Sequence, residues 1–137
     1  MNIIGHGIDL VDVAEMWRWI DDPRDPLIPR CFVQEELDEI GDSPHRVERL
    51  AGRFAAKEAV LKALGTGFGA GIAFSDVIVY RAAGAPPRIR LTGGAAKAAI
   101  ELGITEWRLS ISHAGDMAMA SAIAIGGRRH GDGSDRA

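Results

Sequence analysis

The pattern of hydrophobic positions is organised around one long amphipathic helix in the middle of the chain. Apolar residues recur at helical spacing between positions 44 and 64, which predicts a helix with one buried face. These residues are Val47, Leu50, Phe54, Leu61 and Leu64. Ser43 before Pro44 is a typical helix start, and Gly65 is a typical helix end because glycine adopts the left-handed conformation at least cost.

The N-terminal part predicts one strand and two shorter helices. Residues 3–11 are rich in β-branched side chains, which is typical of a strand. Asp12 can cap a following helix with a helical stripe of apolar residues, namely Val13, Met16, Trp17 and Ile20. Trp19 lies off that stripe and is either part of a surface for a partner or packed between two neighbours. A short helix is expected around 34–37.

The C-terminal half alternates strands, turns and one helix. In order, the predicted elements are a strand at 74–80, a turn at 84–87, a strand at 88–91, an alanine-rich helix at 95–102 and a hairpin of strands 107–113 and 117–125. With the first half they predict a single domain, 1–125. Residues 126–137 contain no apolar anchor, so we expect a disordered tail.

Size and composition limit the classes of function. The 137 residues suffice for one domain with a core, and 47% hydrophobic with 26% charged residues is ordinary for a soluble globular protein. A net charge of −3 argues against a nucleic-acid binder that works by bulk charge. The single cysteine, Cys31, excludes an intrachain disulfide and fits a reducing cytoplasm. We expect a cytoplasmic protein with no membrane partner, because neither a membrane span nor a signal peptide is recognisable.

One polar residue conflicts with the apolar pattern of the first strand. Asp9 alternates with Gly5, Gly7 and Val11 on one face of that strand. A buried, unpaired carboxylate costs several kcal/mol, so Asp9 needs a hydrogen-bond donor, a cation or a metal. A carboxylate that merely accepts hydrogen bonds near the strand end is the simplest of these alternatives.

The end of the central helix carries a second group of charges. Glu58 and Lys62 are one helical turn apart and precede a segment with glycines at 65, 67, 69 and 71. On one interpretation they form an exposed ion pair worth about 0.2–0.5 kcal/mol, and the glycines form a flexible turn. On the other, Glu58 is an oxygen ligand for a divalent cation, while Lys62 and the N–H groups of the glycine segment bind phosphates. The second interpretation requires a partner for Glu58 elsewhere in the chain.

Two histidines lie on predicted strands. His113 ends a strand at a turn, where side chains are usually accessible, so it either contacts a ligand or simply occupies the surface. His6 is expected to pack structurally.

Three separated segments resemble one known family. Residues 7–11 (GIDLV) resemble its G-x-D-[IL] opening, and residues 53–67 (RFAAKEAVLKALGTG) closely resemble its longest signature. Residues 110–113 (SISH) resemble its C-terminal S-[IV]-[ST]-H motif. The family is holo-acyl-carrier-protein synthase, the small group of 4′-phosphopantetheinyl transferases. The resemblance extends from about Ile3 to Ile125.

The resemblance implies an α+β fold in which a small antiparallel sheet packs with a long central helix and shorter helices. It implies transfer of 4′-phosphopantetheine from coenzyme A to a serine of an apo acyl-carrier protein, with release of adenosine 3′,5′-bisphosphate. Asp9 and Glu58 correspond to the family's Mg²⁺ ligands, and one shared cation would resolve the conflict at Asp9. The resemblance also implies a homotrimer whose active sites lie between subunits.

Further positions correspond to contacts with coenzyme A. By resemblance, these are Arg53, Lys62, Gly65, Thr66 and Gly67 near its phosphates, and Pro86 and His113 near its nucleotide end.

The implied catalytic residues are Glu58, Lys62 and Asp9, with Mg²⁺ and Lys62 stabilising charge on the pyrophosphate as the serine attacks. The proton acceptor is Glu58 or a metal-bound water that Glu58 orients.

One position departs from the family pattern. Where the family commonly presents an arginine to the acidic helix of the carrier, this chain has Glu15, which would repel an acidic partner. Arg18, Arg24 and Arg30 are alternative cations, and an atypical carrier is a second explanation. The same residues are also compatible with a catalytically inactive module that binds coenzyme A or a nucleotide, and with a metal-dependent phosphoesterase that uses water as nucleophile.

Overall fold

The computed structural model describes residues 1–24, 26–65 and 71–127. The strands and helices within these ranges are β1 (Asn2–Asp12), α1 (Val13–Ile20), α2 (Leu27–Cys31), α3 (Gln34–Ile40), α4 (Arg46–Leu64), β2 (Val77–Tyr80), β3 (Arg88–Leu91), α5 (Gly93–Leu102), β4 (Ile104–Ala114) and β5 (Met117–Gly126). A 3₁₀ turn, Phe74–Asp76, precedes β2. Over the same ranges, no helix has both the length and the apolarity needed to cross a membrane.

The strands form two antiparallel sheets. β1, β5 and β4 lie side by side in that order, with Asp9 opposite Ala120 and Ser110 opposite Ser121. β2 and β3 pair with each other in a separate hairpin. The expected α+β architecture, with a small antiparallel sheet and a long central helix, is confirmed.

One face of the three-stranded sheet packs against α4 at very short range, because β1 and β5 present mostly glycine and alanine to the helix. Gly5 and Gly7 of β1 face the helix, and a Cβ atom at Gly7 would overlap the carbonyl oxygen of Ala59. β5 contributes only small buried residues to this face, namely Ala118, Ala120, Ala122 and Ala124. The backbone of β1 therefore lies directly against α4.

The opposite face of this sheet is exposed and apolar. Ile8 (49% exposed) and Leu10 (62%) of β1 lie on it, together with Met117 and Met119 of β5. Leu10 lies directly opposite Met119, so these side chains form one continuous patch. An exposed apolar patch of this kind is typical of a surface that another protein covers.

Several predicted boundaries shift in the structure. α4 begins at Arg46 rather than at 44, because the Oγ of Ser43 accepts a hydrogen bond from the N–H of His45 (3.3 Å) in the turn before the helix. The strand expected from 74 begins at Val77, because residues 74–76 form the 3₁₀ turn, and α5 begins at Gly93 rather than at 95. α2, with five residues, is too short for hydrophobic periodicity to predict.

Two local predictions have opposite outcomes. The helix cap at Asp12 is confirmed, since its Oδ1 accepts a hydrogen bond from the N–H of Ala14 (2.9 Å). The structural packing expected for His6 is wrong, because His6 lies on the exposed face of the sheet with its Nε2 3.2 Å from the Oγ of Ser121. The predicted tail, 126–137, lies outside the described residues from position 128 onward and stays a prediction; Gly126 is the last residue of β5.

Candidate active site

Three charged side chains meet where β1 passes α4. Asp9 lies two residues after Gly7 on the same face of β1, so its side chain points toward the helix. Glu58 and Lys62 are one turn apart on α4. The Nζ of Lys62 donates to the Oδ1 of Asp9 and to the carbonyl oxygen of Ile8, both at 3.0 Å. Asp9 is therefore the ion-pair partner of Lys62, and its role as the second ligand beside Glu58 stays a prediction.

The ionised form of Glu58 is disfavoured in this environment. Burial raises the pKa of Glu58 above its ordinary value, the negative charge of Asp9 raises it further, and Lys62 partly opposes both effects. The side chain of Asp9 is only 15% exposed, so water screens this repulsion weakly. Two partly buried carboxylates share one ammonium group, and the site favours a further positive charge.

The donor set fits a hard divalent cation. Mg²⁺ takes oxygen ligands and is usually held by one or two carboxylates, with phosphate and water oxygens completing its shell. Asp9 and Glu58 supply two such carboxylates. In the part of the chain that the structure describes, no group of three or more His, Cys, Asp or Glu side chains could hold an ion. A cation on Asp9 and Glu58 would therefore need oxygens from a substrate or from water.

Glu58→Gln is expected to stabilise the metal-free protein near neutral pH. A carboxyl whose pKa is raised by folding favours the folded state below its unfolded pKa, about 4.3, and this contribution is lost as the pH rises through the folded pKa. Ionised Glu58 therefore disfavours folding at neutral pH, and the amide removes that effect. Thermal unfolding in EDTA should give a higher Tm for the variant near pH 7.5 and equal Tm values near pH 4. A lower Tm for the variant near neutral pH would contradict the charge assignment.

Two other predicted residues lie in a different cavity. Arg53 and His113 line a cavity of about 480 Å³ together with Arg49 and Arg81. Sequence reasoning missed the last two: Arg49 lies one helical turn before Arg53, so helical spacing was a usable signal, whereas Arg81 reaches the cavity only through the path of β2. Glu39 lines the cavity too, but the four basic side chains outnumber it and are suited to an anion such as a phosphate.

The basic side chains of this cavity are held in place by hydrogen bonds. Arg53 donates to the carbonyl oxygen of Val79 (2.7 Å) and to Glu39 (2.6 Å). The Nε2 of His113 lies 2.9 Å from the carbonyl oxygen of Glu48. Arg53 is thus held by β2 and α3, and His113 is held by α4. These bonds form without a ligand, so the cavity is largely preformed.

α4 separates the cavity from the Asp9 site. Along α4, Glu58 lies five residues after Arg53 and Lys62 lies nine after it, which corresponds to roughly 140° and 180° around a helix of 3.6 residues per turn. The two sites therefore open on different sides of α4. Within one chain, the structure does not bring together all the residues that the resemblance assigned to coenzyme A.

Of the remaining residues predicted to contact coenzyme A, the structure describes Pro86 and Gly65. Pro86 lines a cavity of about 370 Å³ between the β2–β3 hairpin and β4. Gly65 ends α4 in the left-handed conformation (φ 73°), with its N–H bonded to the last carbonyls of the helix, as predicted. Thr66 and Gly67 lie outside the described residues, so their contacts stay a prediction.

A pocket of about 310 Å³, lined by aromatic and charged side chains, adjoins Glu58. Trp19, Phe54 and Phe74 line it, and their rings pack in a row with centroids 5.8 and 5.1 Å apart. The ring of Trp19 packs on Phe54 while the residue stays 36% exposed, so a role of Trp19 in a partner surface stays a prediction. Arg30, one of the alternative docking cations, lines the same pocket.

A known protein family matches most of the chain. The 4′-phosphopantetheinyl transferase superfamily matches residues 5–120, a range that contains Asp9, Glu58 and Lys62. The chain belongs to this superfamily. The match confirms the resemblance that rested on three short motifs.

Transferases of this superfamily resemble the chain over nearly its whole length. The holo-[acyl-carrier-protein] synthase of Desulforudis audaxviator (strain MP104C) is 44% identical over 124 residues, which cover 90% of this chain and 94% of that protein. The crystal structure of holo-[acyl-carrier-protein] synthase from Neisseria meningitidis has a TM-score of 0.80 and 32% identity, covering 90% of this chain and 99% of that one. The crystal structure of the Helicobacter pylori synthase in complex with coenzyme A has a TM-score of 0.74 and 27% identity, covering 88% and 99%.

Proposed function

We propose that the chain is a holo-acyl-carrier-protein synthase, which transfers 4′-phosphopantetheine from coenzyme A to a serine of an apo acyl-carrier protein. The observation that carries the proposal is the contact of Asp9 with Lys62 beside Glu58. Transfer from a diphosphate requires neutralisation of phosphate charge and a proton acceptor, and these three groups supply both. The names of the relatives and the coenzyme A in the Helicobacter pylori structure support the same reaction.

In the proposed reaction, Glu58 and Lys62 account for the proton that is released and the negative charge that develops. The serine oxygen attacks the phosphorus that carries the pantetheine, a new P–O bond forms, and the bond to the leaving adenosine 3′,5′-bisphosphate breaks. The serine proton goes to Glu58 or to a water that Glu58 orients. Lys62 stabilises the negative charge that develops on the leaving bisphosphate.

Asp9 and Glu58 would hold Mg²⁺ in this reaction. When bound, the ion neutralises charge on the diphosphate of coenzyme A. Lys62 pairs with Asp9 at 3.0 Å, and neutralisation of Asp9 would free this ammonium for a phosphate. We also assign the activity to the cytoplasm and to lipid synthesis on the carrier, in keeping with a sequence that contains a single cysteine and so no intrachain disulfide.

We assign the cavity of Arg53 and His113, with Arg49 and Arg81, to the nucleotide end of coenzyme A. Because the cavity and the Asp9 site lie on different sides of α4, a complete site combines the cavity of one copy with the carboxylates of another. This arrangement supports the homotrimer with active sites between subunits. The exposed apolar face of the three-stranded sheet supports it too, since assembly would cover that face.

Met119→Glu is expected to break the assembly and to lower transfer strongly. Met119 lies on the central strand of the exposed sheet face, and a charge there would be buried without a partner between copies. Ile100→Glu is the matched control, because Ile100 on α5 is also an exposed apolar residue (76%) but lies outside that face. Sedimentation at micromolar concentration measures the mass of both variants. A parent protein that is monomeric and fully active would contradict the shared site.

Glu15 bears on the choice of carrier. It is partly exposed on α1 and forms an ion pair with Arg18 (3.6 Å), so the charge that departs from the family pattern lies on the surface. Arg30 lines the pocket that Glu58 also lines. We therefore assign the docking of an acidic carrier helix to Arg30 in place of the usual arginine.

Mass measurement of the carrier tests the proposed function. The chain is incubated with coenzyme A, Mg²⁺ and a panel of apo carriers of differing acidity, and each carrier is then weighed. A gain of one phosphopantetheine, absent when the acceptor serine is replaced by alanine, supports the transferase. Binding of coenzyme A with no gain on any carrier would favour the inactive binding module. Cleavage of coenzyme A at the same rate without carrier would favour the phosphoesterase.

A further inference from the structure

The outer edge of β2 is covered by two acidic side chains of α3. β2 and β3 form a two-stranded sheet, so the other edge of β2 carries backbone groups that need partners. The N–H of Val79 donates to Glu36 (2.9 Å), and the N–H of Arg81 donates to the Oε1 of Glu39 (2.7 Å). Glutamates three positions apart lie on one face of a helix, and N–H groups two positions apart point to one edge of a strand. α3 therefore follows this edge with two carboxylates.

The same two carboxylates bind basic side chains of α4. Glu36 pairs with Lys57 (2.8 Å), and both side chains are fully buried. Glu39 pairs with Arg53 (2.6 Å), and here the side chains are 32% and 12% exposed. The buried pair has no access to a ligand. The pair of Glu39 and Arg53 lines the cavity that we assign to the nucleotide end of coenzyme A.

Glu39 fixes the orientation of the Arg53 guanidinium. One terminal nitrogen of Arg53 donates to Glu39, and the other donates to the carbonyl oxygen of Val79 (2.7 Å). A guanidinium is planar, so hydrogen bonds from two separate nitrogens define both its position and its plane. Its further N–H bonds then keep a defined direction, which recognition of a phosphate requires.

Glu39 also fixes the backbone from which Arg81 enters the cavity. Arg81 is the first residue after β2, and its N–H shares the Oε1 of Glu39 with the Arg53 side chain. The Nε of Arg81 donates to the carbonyl oxygen of Ala85 (2.8 Å) in the following turn. One carboxylate oxygen therefore connects the arginines that approach the cavity from α4 and from β2.

The charge of Glu39 by itself opposes an anion in this cavity. A carboxylate repels a phosphate, but water screens this repulsion because the Glu39 side chain is 32% exposed. The hydrogen bonds from Arg53 and Arg81 are short, and a charge-assisted hydrogen bond is roughly twice as strong as a neutral one. The orienting effect of Glu39 therefore outweighs its repulsion.

We propose that Glu39 is a positioning residue for the binding of coenzyme A. It holds the guanidinium of Arg53 and the backbone of Arg81 in the arrangement that receives the phosphate on the ribose of coenzyme A. The inference rests on the proposed function, which assigns this cavity to the nucleotide end. Because the reacting phosphorus belongs to the Asp9 site, loss of Glu39 weakens the binding of coenzyme A and leaves the chemical step unchanged.

Glu39→Ala and Glu39→Gln test this role in the full chain. Both variants remove the same negative charge, but glutamine keeps an acceptor oxygen within reach of Arg53 and Arg81, whereas alanine has none. For Glu39→Ala we expect the KM for coenzyme A to rise about tenfold, with kcat and the carrier KM changed by less than about twofold. For Glu39→Gln we expect a KM within about threefold of the parent value. Equal KM values for coenzyme A in the two variants would overturn the proposal.

Glu35→Ala is the matched control on the same helix. Glu35 pairs with Arg90 of β3 at 2.8 Å, so it also connects α3 to the hairpin, but both side chains are 52% exposed and neither lines the cavity. This variant should keep the parent KM for coenzyme A. The same KM increase as in Glu39→Ala would mean that loosening of α3 on the hairpin explains the effect, which contradicts a specific role of Glu39.

Dephospho-coenzyme A, which lacks the phosphate on the ribose, shows whether Glu39 acts through that phosphate. With this substrate, Glu39→Ala and the parent should have KM values within about twofold of each other, because the oriented arginines have no phosphate to bind. An increase of about tenfold with both substrates would overturn the assignment of Glu39 to the ribose phosphate.

Calorimetry with adenosine 3′,5′-bisphosphate separates this inference from the proposed function, since it requires neither carrier nor transfer. Glu39→Ala should bind the bisphosphate about tenfold more weakly than Glu39→Gln. Transfer by the parent is measured separately, and its absence would remove the proposed function while calorimetry still decides the role of Glu39. No binding of the bisphosphate by the parent would overturn the role of Glu39 together with the assignment of the cavity.

Amide hydrogen exchange of the unmodified protein tests the contact without any variant. The amide of Arg81, bonded to Glu39, should be more strongly protected than the amide of Ala83 in the exposed turn that follows. Equal protection of the two amides would contradict the hydrogen bond on which the positioning role depends.

Discussion

Asp9→Asn and Glu58→Gln are each expected to reduce phosphopantetheine transfer by about 10³-fold or more while the chain stays folded. Each substitution keeps the size of the side chain and removes one of the two negative charges beside Lys62. A cation held by two carboxylates binds less tightly to one carboxylate and one amide. The Glu58 variant also loses the proposed proton acceptor or its orienting group. Mass measurement of the carrier under single-turnover conditions gives the rate.

A control variant and a test of folding show whether the loss of transfer is specific to the site. Glu101→Gln removes an exposed carboxylate from α5 and should leave transfer at the parent rate. Circular dichroism and thermal unfolding establish that the inactive variants are folded, and Glu58→Gln is expected to be inactive and yet more stable near neutral pH. Transfer at the parent rate by either site variant would remove the assignment of both carboxylates to one cation.

Gly7→Ala is expected to destabilise the fold by about 3 kcal/mol or more. A methyl group at this position would overlap the carbonyl oxygen of Ala59 and lie 2.9 Å from the amide nitrogen of Ala63. Both are backbone atoms of a helix, so no side-chain rotation can relieve the overlap, and β1 and α4 must move apart. Transfer should fall as well, because the same contact holds Asp9 beside the helix.

Gly127→Ala is the matched control for this substitution. A Cβ atom at Gly127 would meet nothing within 4 Å, so the variant should unfold at the same urea concentration as the parent. Urea unfolding of both variants gives the difference in the free energy of unfolding. Equal values for the two alanine variants would mean that β1 and α4 are not in the close contact described above.

Most of the secondary structure followed from local patterns. The cap at Asp12, the end of α4 at Gly65 and the hairpin of β4 and β5 depend on residues close together in sequence, and all three are confirmed. α2 was missed because five residues span little more than one helical turn. His6 was misplaced because strand alternation identifies two faces but does not say which of them packs on a helix.

The candidate site was predictable only in part. Asp9, Glu58 and Lys62 were found because a carboxylate in an apolar strand and a charged helix end are both visible in the sequence. Arg81 was missed because it enters the cavity of Arg53 through the path of the hairpin. The burial of Lys57 was also invisible, since a lysine beside a glutamate in a helix is usually exposed.

Short-range patterns in the chain were sufficient for most of its helices and strands, the family and the three charged residues beside the long helix, because periodicity, caps and motifs involve near neighbours. Contacts between distant parts of the chain decided the rest. Lys62 meets Asp9 across 53 positions, and Lys57 meets Glu36 across 21. Both contacts join elements that are distant in sequence, so the tertiary fold sets their geometry.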